Sequence, residues 1–157
     1  MQERDYAEYV IDLKKILKGK VVILCVGNIE RGDDGVGPCI ANAIKGRITC
    51  EVIDAGIAPE NYTGVIKRLR PDTIVVIDAI RFEGKPGEVR LFSSDDLRAG
   101  EISTHDVSPK VLTEYLKFFT NAEIYILGIN PKSNRYGETL SKEVKEAVTI
   151  VQDLLLT

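Results

Sequence analysis

Four short runs of aliphatic residues, separated by stretches of helical periodicity, limit what this chain can fold into. Val21 to Val26 is unbroken up to Gly27. Ile48 leads into Glu51-Val-Ile-Asp54. Thr73-Ile-Val-Val-Ile-Asp78 is rich in β-branched residues, and Glu123-Ile-Tyr-Ile-Leu127 runs up to Gly128. Runs that are apolar on both faces belong to strands covered by helices on each side. Gly87 to Phe92 alternates instead, with Val89 and Leu91 against Glu88 and Arg90, which marks an edge strand.

Between the runs, apolar residues recur at helical spacing. Gly35 to Lys45 carries Val36, Ile40, Ala43 and Ile44, and Pro59 to Leu69 opens with Pro and Glu and stops before Pro71. Ser108-Pro109 reads as an N-cap followed by a first-turn proline, and Ser141 as the cap of a last helix. Strand and helix alternate from residue 21 to the end. The order predicts an α/β three-layer sandwich, a mostly parallel twisted sheet with helices on both faces. At 157 residues the chain fits a single domain, 1–157, with a core over 21–156. Tyr6, Tyr9, Val10, Leu13, Ile16 and Leu17 predict a helical extension over 1–20 that braces or lids one sheet face, stopping at Gly19.

Composition removes several function classes. Hydrophobic residues at 44% suffice for a core without staples. Net charge is −3 with no basic block, so neither nucleic acid nor an anionic membrane has electrostatic support as a partner. Three cysteines, an odd number without C-x-x-C spacing, argue against a disulfide framework or zinc ribbon and for a reducing, cytoplasmic setting. The charged N-terminus lacks a signal's apolar region, and no apolar run reaches the roughly 20 residues of a membrane helix, so no membrane insertion is expected.

Sites in open parallel sheets form beyond the carboxyl ends of the strands. Asp54 and Asp78 end the second and third apolar runs, and Asp34 follows the first in Gly27-Asn-Ile-Glu-Arg-Gly-Asp-Asp-Gly-Val-Gly37. That loop fails as a nucleotide cradle: Ile40 stands where a dinucleotide fingerprint needs a small residue, and no Gly-Lys-Ser/Thr follows. Two aspartates would also repel phosphate, so the loop suits a cation better. The plain alternative for Asp33-Asp34 is a helix N-cap with a second acid on the dipole. The two readings are compatible if one acid caps while the other faces a site. Asp78, embedded in apolar sequence, needs a partner or stays protonated. His105 is the chain's one histidine, in Ser103-Thr-His105-Asp106 before a helix. A lone loop histidine is commonly a surface or capping residue, but the expected strand order would put this one on the side of the aspartates. Two carboxylates and an imidazole suit a borderline divalent ion such as nickel or zinc, with coordination positions left open. A serine triad finds no G-x-S-x-G elbow, and Cys25 reads as buried packing.

Gly27-Asn28, Gly32-Asp33-Asp34-Gly35-Val-Gly37, Asp54-Ala-Gly56, Val76-Ile-Asp78-Ala79 and Ser103-Thr-His105 stand in an order that resembles the hydrogenase maturation proteases, over about residues 21 to 156. Ala58-Pro-Glu-Asn61 looks closest to the branch serving group 4, formate-hydrogenlyase-type hydrogenases. The resemblance implies an aspartic-type endopeptidase whose partner is the precursor of a nickel–iron hydrogenase large subunit. Asp34, Asp78 and His105 match the family's metal-binding residues, which grip nickel already inserted in that precursor. Nickel thus arrives with the substrate, and another divalent metal is an alternative occupant. Cleavage then releases a short C-terminal peptide. A water is expected to attack the scissile carbonyl, with Asp54 or Asp78 as base, so the catalytic set comprises Asp34, Asp54, Asp78 and His105. Ala55 is a departure, since many members carry two glycines after that acid. Two other readings stand beside this one: a nickel-binding maturation chaperone without peptidase activity, using the same three ligands, and a nucleotide- or sugar-binding domain using the glycine loop.

Overall fold

The structure is a computed structural model that describes residues 12–96 and 109–157. Its strands are β1 (Val21–Val26), β2 (Glu51–Gly56), β3 (Thr73–Ala79), β4 (Val89–Ser93) and β5 (Glu123–Ile129). Its helices are α1 (Val36–Ile44), α2 (Thr63–Leu69), α3 (Pro109–Phe119) and α4 (Lys142–Leu156). A 3-10 turn at Gly32–Gly35 leads into α1, and another at Pro59–Tyr62 leads into α2.

The strands form one sheet in the order β2-β1-β3-β5-β4. β1, β2, β3 and β5 run parallel, and β4 closes one edge antiparallel to β5. The alternating pattern of Gly87 to Phe92 thus marks the edge, and the unbroken runs of β1 and β3 are buried along their whole length. Successive side chains of a strand point to opposite faces, so each buried run feeds two cores. Ile23, Cys25, Val75 and Ile77 pack with Val36, Ile40 and Ile44 of α1 and Val144, Ala147 and Val151 of α4. Leu24, Val26, Val76 and Ile80 pack with Ile66 of α2 and Leu112 and Leu116 of α3. Truncating one of these fully buried side chains, such as Ile77, to alanine costs about 2–5 kcal/mol.

Residues 12–16 are helical, Leu13 is buried, and Ile16 and Leu17 pack against the α1/α4 layer. This described end of the N-terminal segment braces the sheet, while the part of the expected helix over residues 1–11 lies outside the described residues. The chain then turns at Gly19, Lys20 N–H donates to Asp72 Oδ2 (2.7 Å), and Thr73 Oγ1 donates to the Lys18 carbonyl (3.0 Å). No helix among the described residues is long and apolar enough to cross a membrane.

Candidate active site

Because β1, β2, β3 and β5 are parallel, their carboxyl ends share one edge, and the following loops converge there. Backbone bonds knit these loops together. Gly27 N–H donates to the Gly56 carbonyl (2.9 Å), Gly32 N–H to Glu138 (3.1 Å), and Gly137 N–H to Glu30 (2.9 Å). The loop after β5 is therefore pinned to the loop after β1, more than a hundred residues earlier.

Two aspartates adjacent in sequence do different work here. Asp33 is 1% exposed and its carboxylate accepts four hydrogen bonds. Oδ2 takes Lys132 N–H (2.8 Å), Ser133 N–H (3.1 Å) and the Ser141 hydroxyl (2.9 Å), and Oδ1 takes Ser141 N–H (2.7 Å). Ser141 in turn caps α4, its Oγ accepting from Val144 N–H (3.4 Å). Asp33 thus fixes the β5–α4 loop and the start of α4. Neither aspartate caps the turn or helix that it opens; the N-cap positions there are Arg31 and Gly35, without side-chain capping bonds. The N-cap reading of the pair is replaced by this long-range clamp, whose partners lie about a hundred residues downstream.

Asp34 is fully buried and faces back along its own loop, its Oδ2 accepting from Asn28 N–H (3.2 Å). The 3-10 turn that holds it packs against β3. Three residues on, Gly37 rests on the strand backbones: a Cβ there would stand 2.3 Å from the Val26 carbonyl oxygen and 2.9 Å from that of Ile77. Only glycine allows this approach, which seats the start of α1, just past the turn that holds Asp34, against the backbones of β1 and β3. Asp78, 1% exposed, lies one residue before the end of β3. Its neighbours Ile77 and Ala79 belong to the α1/α4 core, so its side chain points to the α2/α3 face.

Asp54 is placed differently. β2 continues two residues past it to Gly56, and Asp54 is exposed. Ile53 and Ala55 face the α2/α3 layer, so Asp54 points to the opposite face, the side away from Asp78. It pairs in register with Cys25. Burial, and then the Asp54 charge, push the Cys25 thiol far above its ordinary range, so Cys25 is packing rather than a nucleophile. Ala55 sits within the strand, and the positive φ needed at this turn (+55°) falls on Gly56, so the departure leaves the backbone path intact. Ser103, His105 and Ser108 lie outside the described residues. Among the described residues no group of three acid, histidine or cysteine side chains could hold a metal; of the expected ligands, Asp34 lies on the turn that packs against β3 and Asp78 lies on β3 itself.

The glycine loop's amides bear on the nucleotide reading. The N–H groups of Gly27, Asn28, Glu30, Arg31, Gly32, Asp33 and Asp34 all donate within the protein. Donors already bonded in this way do not cradle a phosphate. Sequence reasoning passed over Asn130, in an Asn-Pro turn signal after β5. Its Oδ1 accepts from Phe82 N–H (3.3 Å), and its Nδ2 donates to the Gly84 and Lys85 carbonyls (3.1 and 3.2 Å). It ties the loop after β3 to the loop after β5.

A mostly parallel α/β sheet, with buried acids toward its carboxyl edge and loops locked around them, defines an α/β protein whose candidate site lies at that edge. The family model of HycI, a hydrogenase maturation protease, matches residues 36–157, beginning two residues past Asp34. The hydrogenase 3 maturation protease of Escherichia coli K12 is 37% identical over 139 residues, covering 85% of this chain and 87% of that protein. The crystal structure of the nickel–iron hydrogenase maturation protease HycI from Thermococcus kodakarensis KOD1 superposes with a TM-score of 0.78 at 31% identity, covering 93% of this chain and 99% of that one. The solution structure of the endopeptidase HycI from E. coli gives 0.77 at 33% identity, covering 88% and 90%. The chain belongs to the hydrogenase maturation protease family.

Proposed function

We propose that this protein removes a short C-terminal peptide from the nickel-loaded precursor of a nickel–iron hydrogenase large subunit, with Asp34, Asp78 and His105 gripping the nickel that the substrate carries. The reading is supported by two buried acids, Asp34 on the 3-10 turn that packs against β3 and Asp78 near the end of that strand, in a chain of this family. Carboxylate oxygens with an imidazole suit nickel or a comparable divalent ion. The substrate's metal then serves as the recognition element, and it can polarise the scissile carbonyl.

The chemistry is hydrolysis of one amide bond. Water adds to the carbonyl carbon, a carboxylate takes its proton, and the departing amine leaves protonated. Of the two acids considered as base, Asp78 is favoured because it is buried on β3, the strand against which the Asp34 turn packs, whereas Asp54 is exposed and points to the other face of the sheet. The reaction is aspartic-type in the sense that a carboxylate activates the water. The three cysteines are free thiols, which fits action in the reducing cytoplasm.

Asp34→Asn, Asp78→Asn and His105→Ala should each lower the rate of precursor processing by at least about a hundredfold while the far-UV spectrum and melting transition persist. Full processing by all three variants would overturn the site. Nickel bound by the free protein, with no cleavage of a cognate precursor, would favour the chaperone reading instead.

A further inference from the structure

Between the segment that follows β3 and the β5–α4 loop, at the carboxyl edge of the sheet, lies a cleft of about 570 Å³ to which the proposed hydrolysis assigns no role. Its charged lining comes from two segments: Arg81, two residues past the end of β3, and the β5–α4 loop with Lys132, Arg135 and Glu138. Ser133, Asn134 and Thr139 add neutral polar groups. Asp33 forms part of the floor, but both its oxygens are engaged by the loop. Lys132 pairs with Glu143 at 3.2 Å. Among the described residues the Arg81 and Arg135 guanidiniums have no ion-pair partner, and both residues are exposed. Arg31 flanks the same loop, its Nε donating to the Asn134 carbonyl (3.3 Å) and its guanidinium lying 5.0 Å from the Tyr136 ring centre. With Arg81, Lys132 and Arg135 set against Asp33 and Glu138, the lining carries a small excess of positive charge in a chain of net charge −3.

We infer that this cleft holds a carboxylate of the substrate peptide, on the reading that the candidate site cuts a peptide. Guanidinium groups bind carboxylates through paired N–H donors, and the two free arginines come from different loops, so a carboxylate between them is gripped from two sides. Phosphate is a poorer match to a peptide-cleaving site, since a polypeptide's own anions are carboxylates. Reach also fits: Arg81 is three residues from Asp78, at most about 10 Å along an extended chain, a span that three or four substrate residues cover. The carboxylate has two sources, an acidic side chain near the cut or the free end of the tail.

Fluorescent peptides distinguish these sources: an amidated Gly-Ser peptide with two internal glutamates, a Gly-Ser peptide with a free C-terminus, an amidated Gly-Ser peptide, and an amidated peptide with two lysines. Anisotropy at low salt should show preference for one or both carboxylate peptides over the neutral and basic ones. Arg81→Gln and Arg135→Gln should each weaken that binding about two- to fivefold, and the double variant about tenfold. In precursor processing the same variants should lose more in KM than in kcat. Equal binding of carboxylate and neutral peptides, or variants that bind as the parent does with unchanged melting, would overturn the inference. Failure of the parent protein to cleave any precursor would sink the peptidase reading while leaving the binding result to be judged separately.

Discussion

Replacing Asp33 by alanine separates the clamp from the candidate site. The substitution removes the acceptor for three backbone N–H groups, of Lys132, Ser133 and Ser141, and for the Ser141 hydroxyl. The hydroxyl can rotate to another partner, but the amides cannot. An amide left without an acceptor costs about 1–3 kcal/mol when buried. Lys132 is exposed and the two serines are half-buried, so water reaches part of the loop and the low end applies. The sum is about 3 kcal/mol, a large share of the 5–15 kcal/mol typical of a domain. For a chain of this size that lowers the melting temperature by about 6–12 °C. Urea denaturation followed by circular dichroism measures it, with an unchanged slope showing that the native and unfolded states keep their exposure. Asp34→Asn is the control: its amide oxygen still accepts from Asn28 N–H, so its stability should stay within about 1 kcal/mol of the parent while processing fails. An Asp33→Ala protein within about 0.5 kcal/mol of the parent would refute the clamp.

Three further outcomes are expected. Gly37→Ala should cost about 2–3 kcal/mol by urea denaturation, because its Cβ would press on the carbonyl oxygens of Val26 and Ile77 and force α1 off the sheet. Thiol labelling under native conditions should modify Cys39 and Cys50 well before Cys25, since burial raises all three thiols but encloses Cys25 fully. The Glu143 carboxyl is held below its usual range, first by a bond from its own backbone N–H and then by Lys132. Its contribution to stability is therefore present at neutral pH and is lost as pH falls through the depressed folded value, so Glu143→Gln should flatten the acid limb of a stability–pH curve.

Strand identity was legible because the signal is local. The β-branched runs of β1 and β3, and the alternation that put β4 at the edge, needed only period and burial pattern. That Asp34 and Asp78 fall at one sheet edge was legible from topology, since parallel strands present their carboxyl ends together. What escaped was non-local or orientational. Asp33's partners lie in the β5–α4 loop, and no spacing rule connects Asp33 to Ser141. Asp54 was grouped with the other acids by its place near a strand end, yet the side-chain parity that turns it to the α1/α4 face depends on β2 continuing to Gly56. Asn130 was passed over because its bonds to Phe82, Gly84 and Lys85 join two loops that no local spacing connects.

The most direct test of the central claim is a mass measurement on two precursors, nickel-loaded and nickel-free, each incubated with this protein. Loss of a C-terminal peptide from the loaded precursor alone is the expected result. Equal cleavage of both, or of neither, would contradict recognition of the substrate through its nickel.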